Sequence, residues 1–342
     1  MATLSVQNPT LLDLAKATDP DGSIAAVVEI LNETNEVLDD MSWVEGNLPT
    51  GHRTTVRSGI PAPTWRKLYG GVQPNKSTNV QVTDNTGMLE AYAEVDKALA
   101  DLNGNTAAFR LQENRPHIEG MNQEIVDTLF YGNEDTEPEA FTGLAPRFTN
   151  LTADENSDNV IDGAGSGSDN ASIWLIVWGP NTCHGIIPKG SMAGIQVHDK
   201  GQVTLEDASD GSNTGRMEAY RTHYRWDAGL SVRDWRYVVR IANIDKSALS
   251  RVYTSGTISG SAILPDLMFQ ALRLVPNLSA GRPAFYMSRD IATWVARQSA
   301  AMGNASAVTI DTIAGSQRMT ERFNGIPIRR CDSLSADEAA LT

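Results

Sequence analysis

From Ser23 to Asp40, apolar residues recur as Ile24, Val27, Val28, Leu31 and Leu38, with Asn35 in phase. This is the spacing of an amphipathic helix, and Ser23 stands where its N-cap belongs. A shorter apolar turn, Leu11, Leu12, Leu14 and Ala15, precedes it and is stopped by Asp19-Pro20-Asp21-Gly22. Between Gly51 and Thr83 the pattern changes: HRTTVRS and STNVQVT alternate like strands, while Pro61, Pro63, Gly70, Gly71 and Pro74 break up the middle. Met88–Leu102 reads as a strand entering a short helix. After Asn103-Gly104, Thr106 is placed to cap a long helix over 107–131 that Gly132 closes. Its predicted buried stripe is Ile118, Met121, Asn122, Ile125 and Leu129, and Pro116 should kink or restart it.

The second half alternates short strands and helices. Ile173–Trp178 (IWLIVW) is apolar at every position, the signature of a strand covered on both faces. Leu230–Ile244 reads as one long strand whose apolar phase shifts near Arg233-Asp234, suggesting a bulge. Pro265–Pro276 is helical with Pro265 in its first turn, AFYM (284–287) is a strand, and Ser288 opens a helix to about Met302. RMTERF–NG–IPIRRC forms a hairpin with Asn324-Gly325 as a type I′ turn, and Pro327 suggests an edge strand. The fold class is α+β.

Charge changes the reading of the Gly51–Thr83 hairpin. Arg53, Arg57, Arg66, Lys67 and Lys76 give it +5 with no Asp or Glu, although the whole chain of 342 residues carries −14, leaving −19 elsewhere. Its few large apolar residues, such as Val56, Ile60, Trp65, Leu68 and Val72, cannot make a core, and a lone two-stranded hairpin is marginal in water. It either packs on its own domain or reaches an acidic neighbour, and the charge asymmetry favours the neighbour. The net negative charge disfavours general affinity for nucleic acid. No apolar run approaches a membrane span and the N-terminus lacks a signal-peptide pattern, so a soluble protein made in a cytoplasm is expected.

Local motifs for chemistry are weak. DPDG at Asp19–Gly22 lacks the other acids of a calcium loop, and AGSGSD (164–169) has no lysine to follow a phosphate. Cys183, His184, His198, His223 and Cys331 have no metal-ligand spacing, and two cysteines so far apart are expected to be free. No GxSxG elbow or acid–base carboxylate pair stands out. No catalytic, cofactor-binding or metal residues are therefore assigned, and no cofactor.

The order of parts resembles tailed-bacteriophage major capsid proteins: arm helix, basic hairpin, long helix closed by Gly, α/β region, terminal FNGIPIRRCDSL. Long stretches are similar to a branch found in short-tailed phages: ILNETNEVLDDMSWVEGNLPTGHRTTVRSGIP, GMLEAYAEVDKALADLNGN, EGMNQE, LFYGN, GLAPRF and VRDWRYVVRIANID. The resemblance implies an N-terminal arm (1–46), an extended loop (47–86), a peripheral domain with a spine helix (87–140), and an axial domain whose C-terminal segment returns to the peripheral domain (141–342). It implies a non-enzymatic subunit that assembles as hexamers and pentamers into an icosahedral shell around double-stranded DNA, without sequence-specific binding and without a membrane. Its implied partners are itself, a separate scaffolding protein, a portal and a possible decoration protein. Its implied location is the virion, with the host cytoplasm during assembly. In that family the extended loop lies across the neighbour's spine-helix region. The expected intersubunit residues are therefore Arg53, Arg57, Trp65, Arg66, Lys67 and Lys76 on the loop, and Glu119, Glu124, Asp127, Glu134 and Asp135 on the helix and its exit. A cellular nanocompartment shell of the same fold and, from another class, a soluble hydrolase are the alternatives.

Overall fold

The computed structural model describes residues 33, 35–102, 106–153, 155–206, 216–249, 253–254, 257–258, 262–301, 308–312, 319–334 and 337–342. In chain order the elements are helix α1 (Val37–Asp40), strands β1 (Trp43–Glu45), β2 (Gly51–Gly59) and β3 (Thr78–Asp96), then helices α2 (Lys97–Asp101) and α3 (Thr106–Tyr131). Strands β4 (Val160–Asp162), β5 (Asn170–Trp178), β6 (Cys183–Ile187), β7 (Gln196–Glu206), β8 (Arg216–Val232) and β9 (Val238–Asp245) follow. The chain continues with β10 (Tyr253–Thr254), β11 (Thr257–Ile258), α4 (Leu264–Leu274), β12 (Arg282–Met287), α5 (Arg289–Ala301), β13 (Val308–Thr312), β14 (Met319–Phe323) and β15 (Ile326–Arg330). The DPDG turn and most of the arm helix predicted from Ser23 lie outside the described residues.

The chain divides into two compact units, one of 1–34, 88–126 and 192–227, the other of 35–87, 127–191 and 228–342. In the first, the distal part of β3 and the hairpin β7–β8 form a sheet. Asp96 caps α2 by accepting from the Ala98 amide at 2.7 Å. Val95, Leu99, Ala100 and Phe109 close a small core.

The second unit is built on β5, buried at every position. It pairs antiparallel with β12 on one edge and β9 on the other. Successive side chains of a strand point to opposite faces, so a strand covered twice must be apolar throughout. On one face Ala171, Ile173, Leu175 and Val177 meet Met268 and Ala271 of α4 and Ile291 and Val295 of α5 in one core. On the other, Trp174 packs 6.1 Å from Phe130 of α3 and 6.0 Å from Phe148, and the Trp178 indole donates to the Tyr286 hydroxyl at 2.8 Å. Each such aromatic contributes on the order of 1.5–3 kcal/mol by burial.

Several sequence expectations change. Leu230–Ile244 is not one bulged strand: β8 ends at Val232, a tight turn covers Trp235–Tyr237, and β9 begins at Val238. The Arg233 amide turns onto the Thr182 carbonyl and Asp234 caps Arg236, so β8 serves β6 and β9 serves β5. Strand β15 is not an edge; it lies between β14 and β12. Pro327 is tolerated because its parallel pairing with β12 begins only at Ile328. The turn before it has Asn324 at φ 48° and Gly325 at φ 85°, as type I′ requires.

Helix α3 runs unbroken through Pro116, and Ile118 is exposed while Met121, Ile125, Val126, Leu129 and Phe130 are buried. The Thr106 hydroxyl donates to Asp101 rather than capping an amide, and the Ser288 hydroxyl before α5 has no hydrogen-bond partner. Gly132 closes α3 as expected, and close packing explains why it is a glycine. A Cβ there would come within 2.6 Å of the carbonyl oxygens of Phe141 and Thr128. Gly120, by contrast, faces open space in the same helix. Gly132→Ala should therefore destabilise the unassembled subunit by about 1–3 kcal/mol, and Gly120→Ala should stabilise it by roughly 0.5–1 kcal/mol. Denaturant unfolding of the two variants checks both signs.

Candidate assembly interface

The hairpin β2–β3 is in register from Gly51↔Asn85 to Arg57↔Asn79, then slips to Gly59↔Thr78. Residues 60–77 form no strand. They are held by local polar contacts: the Gly70 amide to the Lys67 carbonyl at 3.1 Å, Arg66 to the Gly70 carbonyl at 2.8 Å, and Asn75 to the Ala62 carbonyl at 2.7 Å. Tyr69 adopts φ 66°, which costs strain for a bulky residue and re-aims the tip. Nothing among the described residues covers that tip: Trp65, Leu68 and Tyr69 are 101%, 92% and 102% exposed. Arg53 donates to Thr83 at 3.2 Å. Among the described residues no ion pair involves Arg53, Arg57, Arg66, Lys67 or Lys76.

The root is fixed where the tip is not. Asp84 of β3 is buried and receives Arg147 at 2.9 Å and the Ser231 hydroxyl at 2.7 Å. The Arg147 guanidinium also donates to the Thr142 and Gly143 carbonyls. Gly51 lies so close to the Asp84 carbonyl that any Cβ would collide with it. Asn47 brackets Arg53, accepting from its amide at 2.8 Å and donating to its carbonyl at 2.7 Å.

The predicted acids separate into two groups. Glu119 and Glu124 lie on α3 within the first unit, where Glu119 accepts from the Glu33 amide at 3.0 Å and from Gln123 at 3.2 Å, and Glu124 is exposed. Asp127, Glu134 and Asp135 come together in the second unit, lining an open cleft of about 860 Å³. Sequence reasoning missed the cleft's other acids, Asp337 and Glu338, which arrive from the C-terminal segment. Glu338 pairs with buried Arg240 at 2.8 Å and accepts from the Tyr131 hydroxyl at 2.7 Å. Asn243, at φ 56°, clasps Leu341 through both its amide and carbonyl groups. No local pattern in the sequence could place residues 337–341 beside the exit of α3.

Cys183 and Cys331 are buried and form no disulfide, and burial pushes the Cys183 thiol far above its ordinary value. His198 and His223 stack on β7 and β8 at 6.2 Å. No cluster of three or more metal-ligating side chains occurs among the described residues. None of the described helices is long and apolar enough to cross a membrane.

Breaking the root pair should be costly. Arg147→Met leaves Asp84 buried without its cation, a loss of about 3–5 kcal/mol. Adding Asp84→Asn should recover part of it. Urea unfolding of the single and double variants measures both.

Residues 19–342 match the family model described as major capsid protein GP7. Among solved structures, a chain in the cryo-EM structure of bacteriophage Epsilon15 is 37% identical with a TM-score of 0.76, covering 100% of both chains. The capsid of bacteriophage JBD30 aligns at 10% identity and a TM-score of 0.49, over 90% of this chain and 93% of that one. The holo-SrpI encapsulin complex of Synechococcus elongatus aligns at 9% identity and 0.43, over 65% and 92%. No curated protein matches the chain.

Proposed function

The chain belongs to the major capsid protein GP7 family, and from that premise we propose how its copies hold one another in a shell. It is the major capsid protein of a tailed phage, a structural subunit and not an enzyme, with the α+β fold of such capsids. Family membership sets aside the hydrolase alternative and places the chain with phage shells rather than cellular nanocompartments. On our reading, copies assemble as hexamers and pentamers into an icosahedral container for double-stranded DNA. Assembly takes place in the host cytoplasm, with a separate scaffolding protein and a portal as partners and a decoration protein as a possible addition. The arm, extended loop, peripheral and axial regions divide the chain as 1–46, 47–86, 87–140 and 141–342.

One observation carries the docking proposal: the hairpin exposes Trp65, Leu68 and Tyr69 together with five cations that make no ion pair among the described residues. Large apolar side chains left in water forfeit about 1.5–3 kcal/mol each relative to burial. A second copy offers what the first lacks: exposed acids along α3 and the cleft of Asp127, Glu134 and Asp135. The apolar tip supplies most of the binding, while rim ion pairs of about 0–1 kcal/mol each set encounter and register.

Deleting residues 60–77 should leave a subunit that unfolds at nearly the normal denaturant concentration yet forms no shells by electron microscopy; normal shells from the deletion would sink the docking proposal. Arg57→Glu with Arg66→Glu should slow assembly, as should rising salt, which screens such charges over about 8 Å at physiological strength. Light scattering should then show partial recovery when Glu134 and Asp135 are changed to Lys in the same chain.

A further inference from the structure

The root of the hairpin contains a buried imidazole that the assembly account does not use. His184 of β6 is 1% exposed and pairs with Ser231 of β8. Its ring meets the His52 ring edge to face, with centroids 5.8 Å apart and planes at 76°. His52 belongs to β2, which lies against β6 here, and sits opposite Asp84 of β3. The His52 ring is itself held, its Nδ1 accepting from the Asn47 amide at 3.3 Å.

The backbone acceptor beside the His184 ring, the Gly179 carbonyl, favours the protonated form, but it already accepts from the Thr182 amide at 3.2 Å and hydroxyl at 3.3 Å, and neither ring nitrogen makes a hydrogen bond among the described residues. The charged and titratable groups facing it are His52, Arg233 and Asp84, and the Asp84 carboxylate is already taken by Arg147 and Ser231. Cys183, next in sequence, is buried and neutral. A proton on His184 would thus be a desolvated charge near the Arg233 guanidinium, with the Asp84 carboxylate engaged elsewhere.

We propose that His184, packed against His52, is a proton-sensitive latch at the root of the hairpin: neutral, it lets β2 close over β6; protonated, it drives the root open. The latch does not depend on docking, whereas its consequence for shells rests on the docking role proposed above. Burial, then His52 and Arg233, hold the closed ring's pKa down at about 4. Opening the root returns the ring to water, where its pKa is about 6.5. The open state therefore binds the proton more tightly. Above pH 6.5 the closed state keeps its full advantage, and as pH falls towards 4 that advantage is lost. Between pH 8 and pH 5 the opening equilibrium should rise about 30-fold from these two values.

Hydrogen exchange of the unassembled full-length chain tests this directly. After correction for intrinsic exchange, root amides of β2 and β3 near His52 and Asp84 should open about 30-fold more often at pH 5 than at pH 8. Amides of β5 should show no comparable rise. In His184→Phe, which fills the same space without a titratable group, the root should lose that rise. A flat wild-type profile, or an equal rise in His184→Phe, would overturn the latch. Should that variant not fold, an NMR titration of His184 in the wild-type chain decides: an imidazole titrating at its ordinary value overturns the proposal, and one titrating far below it supports it. If the exchange behaves as expected but acid leaves preformed shells intact, the latch stands and it is the docking role that fails.

Discussion

Two paired strands have only each other to pack against, and this governs how the subunit is divided. Where β2 and β3 join the rest of the second unit, Asp84, Arg147, Ser231 and the close approach at Gly51 hold them in one register. Beyond Gly59 no layer among the described residues lies behind the chain, and the apolar residues of 60–77 stand in solvent. The fixed root makes the unsupported tip usable. A hairpin loose at both ends would lose more conformational entropy on docking than a few exposed aromatics could return.

The same unit is built around β5, which reaches the root only through β6 and β8. A strand covered on both faces, by α4 and α5 on one side and by Trp174, Trp178 and their aromatic partners on the other, leaves little freedom to whatever is hydrogen-bonded to it. The C-terminal segment completes the same unit. Arg329 reaches Asp40 at 2.8 Å, tying α1 to β15. Arg240 and Asn243 hold residues 338–341 beside the acidic cleft. Sequence-distant segments therefore meet at the acidic cleft.

Periodicity made much of this legible. The all-apolar IWLIVW announced β5, Asn324-Gly325 announced its hairpin, and the alternation on either side of the broken 60–77 segment announced β2 and β3. The misreadings share a cause: local pattern cannot report a partner far away in sequence. Pro327 argued for an edge until the parallel pairing proved to begin one residue later. Gly132 does close α3 as expected, but the approach of the Phe141 carbonyl that excludes a side chain there was not readable from the sequence. The basic loop residues were identifiable from charge alone, because five cations without an acid in 33 residues is a local property. Asp84, Arg147, His184, Asp337 and Glu338 were not, since each acquires its role only through contacts across the fold.

The central claim is that the hairpin is completed by a second copy of the chain. Cryo-electron microscopy of shells assembled from the purified protein tests it most directly. The account predicts hairpin density extending onto an adjacent subunit, with Trp65 buried and the basic side chains facing acids near the exit of α3. Shells in which each hairpin folds back on its own subunit, or leaves Trp65 in solvent, would contradict it.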